Sequence, residues 1–115
     1  MYKIFFQGIC LYSNFKKLNN LKKIFVFHGL GSDPEDLLPL FNNLFLNIQI
    51  LIPLIPGHSN SFLNYSPDPI MTFSRKISNF IRFKKVKNFS FFSHSMGGII
   101  PILIVGKILK KKIIF

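Results

Sequence analysis

The stretch Phe91-Phe92-Ser93-His94-Ser95-Met96-Gly97-Gly98-Ile99-Ile100 constrains the fold more than any other: an apolar run stops at Ser-His-Ser-Met-Gly-Gly and then resumes. Such a pattern reads as strand, sharp turn, helix. Ser95 stands two residues after one small residue, Ser93, and two before another, Gly97. That is the spacing of a nucleophile elbow, where only small side chains fit on either side of the turn. The Ser95 hydroxyl would project from the carboxyl edge of a sheet. The Met96 amide, at the start of the following helix, would point toward an oxyanion forming beside it. The same residues also fit a glycine-rich loop without chemistry, so other stretches have to decide.

Two others bear on the choice. Phe25-Val26-Phe27-His28-Gly29-Leu30-Gly31-Ser32 reads as a strand ending in His-Gly, and residues 48–61 read as a strand followed by Pro56-Gly57-His58-Ser59-Asn60-Ser61. In order and spacing the three motifs resemble the α/β-hydrolase family of serine hydrolases. They match its His-Gly oxyanion loop after the third strand, its Pro-Gly-His-x-x-Ser turn after the fourth and its elbow after the fifth. The resemblance spans residues 22 to 110. It departs from the family pattern at Ser93 and Ser59, where glycine is usual, and at Leu54, where aspartate is frequent.

The resemblance implies an α/β fold, a mostly parallel sheet with flanking helices and strand order 1-2-4-3-5-6, in which 111–115 would be the outer strand. It implies Ser95 as nucleophile and the backbone amides of Leu30 and Met96 as the oxyanion hole. His28, Gly29 and Gly97 would support these loops, His28 through its ring. A carboxylic ester or thioester would be the substrate. In the family the acid and the histidine follow the serine in the chain, whereas residues 96–115 contain no Asp, Glu or His. The expectation is therefore an amino-terminal, truncated family member whose triad is incomplete within this chain. The alternative is a non-catalytic remnant or interaction module that keeps the amino-terminal half of the fold.

A chain of 115 residues with 49% hydrophobic content suits one domain, 1–115, with a modest core. The net charge of +11 would suggest an acidic partner, but Phe, Ile, Lys and Asn make up 55 of the 115 residues and Ala and Trp are absent. That bias points to coding pressure rather than to a ligand. The lysines fall in scattered pairs and a triplet, with no reading helix or stacking platform beside them, which argues against nucleic acid. The single Cys10 excludes an internal disulfide and fits a reducing compartment. The amino-terminal residues lack the pattern of a signal peptide, and the longest apolar run, 99–105, is far short of the ~20 residues of a membrane span. The expectation is a cytoplasmic protein without membrane contact and without a metal or cofactor.

Along the chain, Tyr2 to Phe6 and Ile9 to Tyr12 flank Gln7-Gly8 and predict a hairpin. Residues 13–20 read as a polar connection. Lys23 to Phe27 predicts a buried central strand, and Ile48 to Ile52 another. Ser32-Asp33-Pro34-Glu35-Asp36 reads as a helix start, its acids placed for the helix dipole rather than for a metal, followed by apolar residues at helical spacing interrupted by Pro39. Residues 70–83 have the pattern of an amphipathic helix, and 86–92 that of the strand leading to the elbow. Pro101 is expected to kink or weaken the next helix and Gly106 to weaken it again. Neither His58 in its turn nor His94 beside Ser95 is placed to serve as a base. His28 is the best situated of the three, because its loop adjoins the elbow. Nothing pairs with the 111–115 strand in sequence, so a second copy or a partner chain is expected at that edge.

Overall fold

The structure, a computed structural model, describes residues 2–28, 37, 47–55, 69–93 and 99–108. β1 (Tyr2–Phe6) and β2 (Ile9–Ser13) form the expected hairpin, with Phe6 opposite Ile9. Its two-residue loop has φ 45° at Gln7 and 84° at Gly8. Two positive φ values define a type I′ turn, whose twist matches that of the strands and which favours Gly at the second position. β3 (Lys22–Phe27), β4 (Ile48–Pro53) and β5 (Phe89–Ser93) complete a five-stranded mixed sheet of order β1-β2-β4-β3-β5. β2 runs antiparallel to β1 and β4, while β3 is parallel to both β4 and β5. The five strands follow the order the resemblance implies. The sixth, at 111–115, lies outside the described residues.

Alternation along the strands sorts side chains between two faces. Phe25 and Phe27 of β3, Leu51 of β4, and Ile9 and Leu11 of β2 are buried on one face, against α1 (Pro69–Phe83) and α2 (Ile99–Ile108). Val26, Ile50 and Ile52 are buried on the other face, where Leu37, Tyr12 and Ile24 pack on them. The central strands are thus covered on both faces, as a continuous β-branched and aromatic run requires. Helix α1 turns Phe73, Ile77, Phe80 and Ile81 toward the sheet. Edge-to-face ring pairs lock it there: Phe25–Phe80 at 6.2 Å, Phe27–Phe73 at 6.4 Å and Phe6–Phe80 at 5.4 Å between centroids. Each such pair contributes about 0.5–1.5 kcal/mol beyond burial of the rings.

One local expectation is corrected. The strand before Ser93 begins at Phe89 rather than Val86, because the Val86 amide donates to the Ile81 carbonyl at 3.0 Å and completes the end of α1. The polar connection expected after β2 is present, and side chains tie it to β4. The side-chain amide of fully buried Gln49 donates from Nε2 to Ser13 Oγ and to the Lys17 carbonyl, both at 3.0 Å. Its Oε1 accepts from the Asn19 amide at 3.1 Å. Asn14 ties the same loop to β4 through Ile48 O at 3.0 Å and Ile50 N at 2.8 Å. Apart from Leu37, the helix expected after Ser32 lies outside the described residues.

Candidate active-site edge

From β3 the chain crosses to β4 on one side and later returns to β5 on the other. In an open sheet with parallel strands, such a reversal leaves a crevice at the carboxyl ends of the strands, where ligands bind. Phe27, the last residue of β3, pairs in register with Ser93, the last of β5. His28 therefore follows β3 beside the end of β5. The next described helix is α2, and residues 94–98 lie outside the described residues.

His28 is buried at the end of β3. Its Nε2 accepts a hydrogen bond from the Ile55 amide at 3.1 Å. A nitrogen that accepts from an amide carries no proton, so the ring is the neutral tautomer with its hydrogen on Nδ1. That bond joins the carboxyl ends of β3 and β4 through a side chain. Leu54, on the same segment, donates its amide to the Cys10 carbonyl at 2.9 Å and is itself buried. The floor of this edge is apolar and held by backbone bonds. With Nε2 engaged in this way, His28 is poorly suited to take a proton from a serine hydroxyl.

Of the sequence-predicted site residues, His28 is described. Gly29, Leu30, Ser95, Met96 and Gly97 lie outside the described residues, as do His58 and His94. The thiol of Cys10 offers no substitute nucleophile: burial pushes it above its ordinary value, the Lys3 ammonium opposing more weakly, so the reactive thiolate is disfavoured. No group of three or more His, Cys, Asp or Glu comes together among the described residues. No helix among them is long and apolar enough to cross a membrane.

Solved structures match this arrangement of strands and helices over most of the chain. A Rickettsia typhi protein assigned provisionally as a hydrolase superposes with a TM-score of 0.68 at 26% identity, covering 86% of this chain and 35% of its own. The chain has an α/β-hydrolase fold. An α/β hydrolase from the sediment metagenome of the Mar Chica lagoon in Morocco matches with a TM-score of 0.67 at 20% identity, over 91% of this chain and 45% of its own. The thioesterase domain of the curacin biosynthetic pathway does so with 0.61 at 23% identity, over 96% and 42%. The chain spans less than half the length of each of these α/β-hydrolase-fold proteins. No protein-family model matches it, and no curated protein does.

Two polar residues that position this fold were not singled out from sequence. Gln49 interrupts an otherwise apolar strand, and a lone amide in such a run is a signal of a buried polar network. Lys23 reads as the solvent-facing boundary of β3 but is buried, its ammonium donating to the carbonyls of Asn19 and Leu21.

Proposed function

We propose that this protein is a serine hydrolase acting on a carboxylic ester or thioester, with Ser95 as the nucleophile. The observation that carries this reading is the register of β3 and β5, whose last residues Phe27 and Ser93 pair at the reversal of the sheet, two residues before Ser95 in the chain. The hydroxyl oxygen of Ser95 attacks the acyl carbon while its proton passes to a base. The carbonyl oxygen takes the negative charge and is met by the amides of Leu30 and Met96. Collapse expels the alcohol or thiol, which recovers the proton, and water then releases the acid from Ser95 by the same route. The base and its orienting acid come from further polypeptide, either continuous with this chain or carried by a partner that adds to the sheet edge at 111–115. Cytoplasmic residence accords with the single, half-buried Cys10.

A fluorophosphonate probe with peptide mapping tests the assignment. Ser95 is expected to be the only serine labelled, slowly for want of the base, and Ser95→Ala is expected to abolish the label. Equal labelling of Ser93 or Ser59 would refute it. The engagement of His28 Nε2 by Ile55 favours a second reading, a non-catalytic module that retains the fold. A cooperatively melting chain that takes no label would establish that reading.

A further inference from the structure

Four of the thirteen lysines come together at the opposite end of the sheet from the active-site edge. There the loop 18–21 and the turn 84–88 enclose a cavity of about 210 Å³ whose lining includes Lys23, Lys84, Lys85 and Lys87, together with Asn19 and Asn88. Ammonium and side-chain amide groups share its lining with Leu18, Leu21 and Val86, and at this size it has room and polar partners for water or an ion. Among the described residues no acidic side chain lines it. The four acids of the chain, Asp33, Glu35, Asp36 and Asp68, all lie outside the described residues.

We propose that this cavity binds a small, soluble, multiply charged oxyanion of the phosphate class. Lys23, only 4% exposed, is its fixed cation. Two of its three donors go to the Asn19 and Leu21 carbonyls, and the third reaches Asn19 Oδ1 only at 3.5 Å, the outer limit of a hydrogen bond. An ammonium held this way keeps a donor direction that an oxyanion can take in place of a weak amide contact. Burial also lowers its proton affinity, and a bound anion reverses that penalty.

Lys85 and Lys87 are the approaching cations. Lys85 occupies the left-handed region, φ 53°, at the turn that ends α1, its amide donating to the Arg82 carbonyl at 3.2 Å. A residue with a Cβ is strained there, where glycine would be free. The negative end of α1 accounts for cations in its last turn. It does not account for Lys87, four residues beyond the helix, or for Lys23 on β3. Lys84 contributes least, since its ammonium lies 5.9 Å over the Phe6 ring.

Pyrophosphate titration followed by thermal melting, against sodium chloride at matched ionic strength, tests this. Lys85→Gly/Lys87→Gln removes two charges while suiting the left-handed turn. Arg75→Gln/Lys76→Gln removes two charges from α1 away from the cavity. Melts without pyrophosphate verify that each variant folds. The wild type is expected to melt higher in pyrophosphate than in chloride. Loss of two charge-assisted bonds should weaken the midpoint concentration by about tenfold or more in the cavity variant. The control should stay near wild type. Equal weakening in both variants, or no wild-type difference between pyrophosphate and chloride, would overturn the proposal and leave only counterion screening of a basic protein.

Discussion

Replacing Gln49 by Leu isolates the cost of the network that orders the loop after β2. The substitution roughly conserves volume in a fully buried site but removes three hydrogen bonds of 3.0, 3.0 and 3.1 Å. Each is worth about 1 kcal/mol net, and each stranded partner left without water costs about 1–3 kcal/mol. Three partners lose a bond: the Asn19 amide, the Lys17 carbonyl and the Ser13 hydroxyl. The gross loss is about 3–9 kcal/mol, against which burial of a leucine returns about 2 kcal/mol. A destabilisation of about 3 kcal/mol is expected, a large share of the roughly 6–17 kcal/mol usual for a chain of this length. Urea unfolding followed by far-ultraviolet circular dichroism measures it. Ser13→Ala provides the companion: it should cost about 1 kcal/mol in the wild type and less in Gln49→Leu, because the two share a bond. A Gln49→Leu midpoint equivalent to less than about 1 kcal/mol of loss would show that loop 14–21 hydrates these groups freely, and would refute the bridge.

Other outcomes are expected elsewhere in the fold. His28→Leu leaves the Ile55 amide without its acceptor in a buried position and should cost about 1–3 kcal/mol in urea melts; a loss below about 0.5 kcal/mol would mean the ring does not join β3 to β4. Burial pushes the Lys23 ammonium below its ordinary 10.5, so the unfolded chain holds this proton more tightly than the folded one. Stability from this group therefore rises with pH between the lowered folded value and 10.5, and the penalty is present in full below that window. The stability of wild type minus that of Lys23→Met should accordingly increase as pH climbs toward 10.5, and a flat difference would contradict it. Gly106→Ala places a Cβ that meets nothing within 4 Å on an exposed helical position, and should raise stability by about 1 kcal/mol in the same melts.

The strands were legible because their residues carry local signals: Phe25-Val26-Phe27 is too apolar for anything but an interior, and Gln7-Gly8 too short for anything but a tight turn. The helix at 70–83 announced itself by spacing, and its start at Pro69 adds one residue suited to a first turn. What escaped was non-local. Residues 13–20 read as a polar connection, but what holds them could not be read, because the groups that satisfy them sit 30 or more positions away on Gln49 and Ile48. Val86 looked like strand because nothing in its neighbours reveals that its amide closes the preceding helix. Of the site, Ser95 and its neighbours lie outside the described residues, and the anchoring of His28 to Ile55 left no local signal because it joins two strands through a ring. The grouping of lysines is non-local too, since Lys23 and Lys87 line one cavity only when β3 and β5 pair.

The sheet order also dictates a timetable. β4 lies between β2 and β3, although both precede it in the chain. A polypeptide emerging amino end first can close the β1–β2 hairpin in about 1–10 μs, but a lone hairpin is marginal in water. β3 has no neighbour to pair with until Ile48–Pro53 has followed it out, about one to five seconds later at ordinary synthesis rates of 5–20 residues per second. Throughout that delay Phe25, Val26 and Phe27, destined for the middle of the finished sheet, face water, and a holding chaperone has an apolar segment to grip.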